Sequence, residues 1–130
     1  SLGGFLDAPH GLCNALLLDQ VALCNAKAAD ARYADLAASL ARGRLEARGG
    51  LACGDDREFR PAPGQGALAF AAIIQELRAE LGITSSLASL GVARQDIHRL
   101  ALFARKDPCL ATNPRKLEVA DIEAVFERAF

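Results

Sequence analysis

An all-α chain, a bundle of about five helices, is what the sequence predicts. Three observations carry the expectation. Ala (27) and Leu (20) make 47 of the 130 residues, whereas Val (4), Ile (5) and Thr (2) make only 11. Ala and Leu lose little on entering a helix, and β-branched residues suit strands. Apolar residues also recur at helical spacing along successive stretches, and Gly or Pro stands where most of those stretches end.

The segment from Ser1 to Gly11 mixes apolar residues with Gly and Pro and reads as a loop leading into a helix. From Leu12 to about Ala26 nearly every position is apolar, which predicts a helix buried on all sides, the hub of the domain. A second helix is expected from about Ala29 to Ala41, with Tyr33, Leu36, Ala37 and Leu40 on its buried face and Arg42-Gly43-Arg44 as its end. The stretch from Leu45 to Gly66, with its charges, glycines, Pro61 and Pro63, is expected to be the least regular part. A third helix from about Ala67 to Leu81 places Phe70, Ile73, Ile74, Leu77 and Leu81 on one stripe, with Gly82 as its stop.

Ser85 to Gly91 reads as a short turn closed by Gly91. A fourth helix, about Ala93 to Lys106, carries Ile97, Leu100, Ala101 and Ala104, and Asp107-Pro108 breaks it. Cys109 to Lys116 reads as a loop, with Asn113-Pro114 as a turn signal. The last helix, about Val119 to Ala129, shows Ile122, Val125, Phe126 and Ala129 on one face.

The composition also excludes several classes. At 52% hydrophobic and 24% charged, with a net charge of −1, the chain is globular rather than disordered. Fifteen basic residues offset by 16 acidic ones give no general attraction for nucleic acid. The apolar run from Ala15 to Leu18 is too short for a membrane span, and no signal peptide is expected. Cys13, Cys24, Cys53 and Cys109 form no CxxC pair, so reduced thiols and a cytoplasmic location are expected.

Few residues point to chemistry by themselves. His10, between Pro9 and Gly11, has the setting of a metal ligand, but one His cannot make a catalytic site, which needs at least three protein ligands. His98, among Asp96, Arg99 and Arg105, reads as a solvated surface residue. Gly64-Gln65-Gly66 has the glycines of a phosphate loop but no preceding strand, and Gly54-Asp55-Asp56 lacks the spacing of a calcium loop. No catalytic Ser-His-Asp or Cys-His set can be assembled, and no cofactor-binding residue can be named.

Two sets of residues add a resemblance. The first runs from Pro9-His10-Gly11-Leu12-Cys13-Asn14-Ala15 through Leu16-Leu17-Leu18, Val21 and Asn25. The second is Leu81-Gly82-Ile83, Leu90-Gly91-Val92, Asp96-Ile97, Lys106-Asp107-Pro108-Cys109, Thr112-Asn113-Pro114-Arg115 and Asp121-Ile122. In this order they resemble the iron-containing (group III) alcohol dehydrogenases. The resemblance implies a parent enzyme with an N-terminal α/β domain for NAD(P) and an all-helical C-terminal domain. In that domain one Asp and three His hold a single divalent metal, Fe2+ or Zn2+. His10 matches the last of those histidines. Cys109 aligns near the family's substrate pocket, where it would be a substrate-binding residue or a buried structural one. Asn113-Pro114-Arg115 would shape its loop.

It follows as an expectation that residues 1–130 are a partial C-terminal domain on the metal side, without the NAD(P)-binding domain. With no Met in the chain, Ser1 is expected to be a processed end or a cut in a longer protein. The parent would interconvert small alcohols with aldehydes or ketones and would form a homo-oligomer, a dimer. The chain alone would be inactive and would bind no cofactor stably. Departures from the family pattern fall at Asp19-Gln20, at Leu23-Cys24 and at Glu118, which stands where a hydroxyl N-cap is common. The alternative is a non-catalytic helical regulatory or interaction module built on the same fold.

Overall fold

A computed structural model describes residues 8–50 and 56–130. Residues 1–7 of the expected leading loop, Cys53 and the Gly54-Asp55 part of the acidic stretch lie outside the described residues. Among the described residues five α-helices form the predicted bundle: α1 (His10–Cys24), α2 (Ala26–Ala47), α3 (Gly66–Glu80), α4 (Ile97–Arg105) and α5 (Val119–Arg128). Short 3-10 turns occupy Asp56–Phe59, Arg94–Asp96 and Pro108–Thr112.

The core has two parts, and α1 lies between them. Cys13 and Leu16 pack with Leu100 and Ala101 of α4 and with Ile122 and Phe126 of α5. Further along α1, Ala22 packs with Ala37 of α2 and with Phe70 and Ile74 of α3, where Tyr33 and Phe70 set their rings 5.3 Å apart. The expected hub is thus α1, but it is not buried on all sides. Leu18 is 44% exposed, while Asp19, beside it, is buried at 1%. Fifteen residues of helix turn through every direction, so an apolar sequence fills the outward positions too once neighbours cover only part of the circumference.

The second helix is longer than expected at both ends. It starts at Ala26, bends at Ala29 (φ −140°, ψ 16°), and runs through Arg42-Gly43-Arg44 to Ala47. Its buried face is the small one, Ala34, Ala37 and Ala38, whereas Leu36 is 49% exposed. Small residues let α3 approach closely. A Cβ on Gly66 would fall 2.1 Å from the carbonyl oxygen of Asp30, so the two backbones meet where only glycine fits.

Gly82 ends α3 as expected: at φ +68° it turns the chain so that Ile83 N–H donates to Arg78 O (2.9 Å) and Gly82 N–H to Ala79 O (3.0 Å). On that helix only Phe70 and Ile74 of the expected stripe are buried, and Leu77 and Leu81 face outward. The turn at Ser85–Gly91 buries Leu87 completely and is held by the Ser86 N–H donating to Ser89 Oγ at 2.8 Å. The fourth and fifth helices lie within their predicted limits, and Ile97, Leu100, Ala101, Ile122, Val125 and Phe126 are buried as expected.

Candidate functional site

His10 is the first residue of α1. Pro9 stands at the N-cap with φ −53° and ψ 129°, and its carbonyl accepts from Leu12 N–H (3.0 Å) and Cys13 N–H (3.2 Å). Proline loses nothing there, because the amides at a helix start have no partner within the helix. His10 is exposed, and one turn later the Asn14 amide donates to its Nε2 at 3.1 Å. Among the described residues no group of three or more His, Cys, Asp or Glu could hold a metal ion. A metal site at His10 would need further ligands from other residues, and an imidazole nitrogen released from the bond to Asn14.

The other histidine is a surface residue, as the sequence implied. His98 Nδ1 lies 2.5 Å from Glu123 Oε1, which joins α4 to α5.

Cys109 sits in the 3-10 turn Pro108–Thr112 and is exposed among the described residues. Its N–H donates to Asp107 Oδ1 at 2.9 Å, and Thr112 Oγ1 donates to its carbonyl at 3.0 Å. Hydrogen bonding to the Asp107 carboxylate, and then its charge, push the thiol above its ordinary pKa. The Cys109 N–H in turn draws Asp107 below the usual carboxylate range. Such a thiol can touch a substrate but is a poor nucleophile, because the thiolate is the reactive form.

The Asn113-Pro114-Arg115 segment shapes its loop. Asn25, buried at 1% between α1 and α2, exchanges two amide hydrogen bonds with Asn113, each 2.9 Å. Asn113 also donates to Arg115 O at 2.7 Å, and Arg115 pairs with Asp121 of α5. Asp121 is drawn below the usual carboxylate range first by the Glu118 N–H, which donates to it at 3.0 Å, and then by Arg115. Asp121 thus serves the start of α5, with Glu118 as the N-cap residue.

The amides around Gly64-Gln65-Gly66 hold a carboxylate of the chain itself. Gly64 N–H and Ala67 N–H both donate to the Asp30 carboxylate at 3.0 Å, so an anion from α2 already serves the start of α3. The Ala67 N–H is the main cause that lowers the Asp30 pKa, against a smaller opposing effect of burial.

Sequence reasoning missed Asp19 as a structural centre. Gln20 N–H (2.9 Å), Gln20 Nε2 (3.0 Å) and Gln75 Nε2 (2.8 Å) all donate to its carboxylate, and Arg78 lies 3.7 Å away. The one available signal was an acid inside an otherwise apolar helix.

Comparison with known proteins gives a consistent picture. The model of the Fe-containing alcohol dehydrogenase family, C-terminal, matches residues 1–130. The chain is 37% identical to a 1,3-propanediol dehydrogenase of Citrobacter freundii over 129 residues, which is 99% of this chain and 30% of that protein. It is 32% identical to a lactaldehyde reductase of Escherichia coli, over 99% of the chain and 30% of the relative. An NAD-dependent methanol dehydrogenase of Bacillus methanolicus is 31% identical, over 98% of the chain and 30% of the relative. A crystal structure of a 1,3-propanediol oxidoreductase superposes with a TM-score of 0.77 at 35% identity, covering 99% of this chain and 30% of that one. The chain thus spans about 30% of the length of these relatives.

Proposed function

The chain belongs to the iron-containing alcohol dehydrogenase family and matches its C-terminal part, and from that premise we propose that it is the metal-side helical segment of an enzyme interconverting alcohols with aldehydes or ketones. The observation that carries the reading is the Pro9-His10 start of α1, which presents an exposed imidazole from a rigid helix end. When bound, the divalent metal would supply Lewis acidity to the alcohol oxygen, and NAD(P) would accept the hydride.

The chain's own residues would position and shape. His10 would give one ligand, and its Nε2, which accepts from the Asn14 amide here, would have to exchange that bond for the metal. The Asn25–Asn113 pair anchors the loop that carries Cys109 to the α1–α2 junction. Cys109 would line the substrate side as a neutral contact. The remaining metal ligands and the nucleotide site would come from outside residues 1–130, so these residues alone would be inactive. The parent would be a cytoplasmic homodimer.

The test is His10→Ala in the polypeptide that carries these residues. Loss of metal, measured by elemental analysis after gel filtration, is the expected result. Undiminished metal occupancy would overturn the assignment.

A further inference from the structure

A cleft of about 450 Å³ lies between α1, α3, the Ile83–Ser86 turn and the end of α5. Its lining includes one acid, Asp19, and two guanidinium groups, Arg78 and Arg128. The acid is already served, since its two oxygens take three N–H donors from Gln20 and Gln75. Arg78 lies 3.7 Å from it, beyond hydrogen-bond distance, and its side chain is only 22% exposed. Its Nε is buried without a hydrogen-bond partner. Arg128 is held at the rim by Gln20, whose Oε1 accepts from Arg128 Nε at 3.1 Å.

A largely buried guanidinium with its Nε unmet and its Nη1 held only loosely by Asp19 has room for a further acceptor, and the planar fork of arginine suits a carboxylate. The same cleft has apolar wall from Leu16, Ile83 and Phe130. We propose that this cleft binds a small organic carboxylate, with its head on Arg78, its second oxygen within reach of Arg128, and its short apolar tail against Ile83 and Phe130. The two guanidinium groups favour an anion, and the apolar wall favours an aliphatic carboxylate over inorganic phosphate. The carboxylate could come from two sources, a free small acid or an Asp or Glu side chain elsewhere in a longer polypeptide.

NMR of the arginine Nε–H groups and of the backbone amides of residues 84–86 tests this, with sodium butyrate, sodium acetate and inorganic phosphate as probes. A free-acid site gives saturable shifts, with butyrate binding about tenfold tighter than acetate through its two extra methylenes. Phosphate then binds more weakly than butyrate. Arg78→Gln abolishes the saturable shifts. Should that variant fail to fold, Arg128→Gln weakens every carboxylate severalfold and Ile83→Ala removes the preference for butyrate. A site filled from within the polypeptide shows instead a scalar coupling across a hydrogen bond from the Arg78 side chain to a carboxylate carbon before any addition, together with silent titrations. Silent or unsaturable titrations without such a coupling would overturn the proposal.

Discussion

The same substitution, glycine to alanine, should have opposite effects at two places on the α2–α3 pair. At Gly66 the new Cβ would lie 2.1 Å from Asp30 O, 2.6 Å from Ala34 N and 2.9 Å from Ala34 Cβ. Ordinary non-bonded contact is about 3.5 Å, so α3 must move away from α2 by on the order of 1 Å. The obstacle is helix backbone, which cannot rotate aside as a side chain can. Overpacking of this kind costs roughly 1–3 kcal/mol, and the better helix propensity of Ala recovers less than about 1 kcal/mol at a first helical position. A shift also disturbs the Asp30 bonds to Gly64 and Ala67, so the upper part of that range applies, at about 2 kcal/mol net. With a urea slope of about 2 kcal/mol/M, the unfolding midpoint of Gly66→Ala should fall by about 1 M. Gly43, inside α2, has nothing within 4 Å of its Cβ position. There Ala adds propensity without a clash, and Gly43→Ala should raise the midpoint by up to about 0.5 M. Far-UV circular dichroism through urea titrations of the two variants and the parent chain measures both. A Gly66→Ala midpoint equal to or above that of the parent chain would refute the close approach.

Three further outcomes follow from other parts of the structure. Asn25→Ala leaves Asn113 partly unserved and should cost about 2 kcal/mol, while adding Asn113→Ala should cost less than the sum, since both changes break one pair; full additivity in the cycle would show that the pair is not coupled. Asp30, Asp107 and Asp121 all have folded pKa values below the carboxylate's ordinary 3.8, chiefly through N–H donors from Ala67, Cys109 and Glu118. In the acid range the unfolded chain therefore binds more protons, so this stabilisation is complete above about pH 5 and is lost as pH falls through the lowered values. Urea midpoints measured from neutral pH down into that range should fall, Asp30→Asn should make the fall shallower, and a flat profile would contradict the carboxylate assignments. Cys109 should be alkylated by iodoacetamide more slowly than a free thiol despite its exposure, and Asp107→Asn should speed it severalfold; equal rates would remove Asp107 as the cause.

The sequence was most legible where one helix met one core. Each of Ile97, Leu100, Ala101, Ile122, Val125 and Phe126 is buried as its spacing required, because α4 and α5 each pack through a single face. Prediction failed where small residues carried the contact. In α2 Ala37 is buried as its spacing required but Leu36 is not, and Ala34 and Ala38 are buried beside it because a close helix–helix approach needs small residues. Arg42-Gly43-Arg44 looked like a stop, but α2 continues through it, with Arg44 reaching Glu80 of α3 at 2.7 Å. Gly66 was legible as a helix start, but the anion that serves that start, Asp30, lies 36 positions earlier. No local pattern can report such a partner.

The same reasoning explains why the candidate site was only partly readable. His10 could be singled out because its setting is local: a proline at the N-cap, a helix start, and a glycine after it. Function at a metal, however, depends on convergence, and a single helix end fixes one ligand's direction without fixing its companions. What the rest of the chain contributes is rigidity around that direction. Leu16 and Cys13 bury the first turns of α1 against α4 and α5, and Asn25 locks its far end to the Asn113 loop. His10 therefore cannot shift along the axis of α1 without opening the core at one end or breaking the amide pair at the other. On the proposed reading of His10 as a ligand, loosening that far anchor with Asn25→Ala should weaken metal retention, measured by elemental analysis after gel filtration, even though the residue ends the helix that His10 begins.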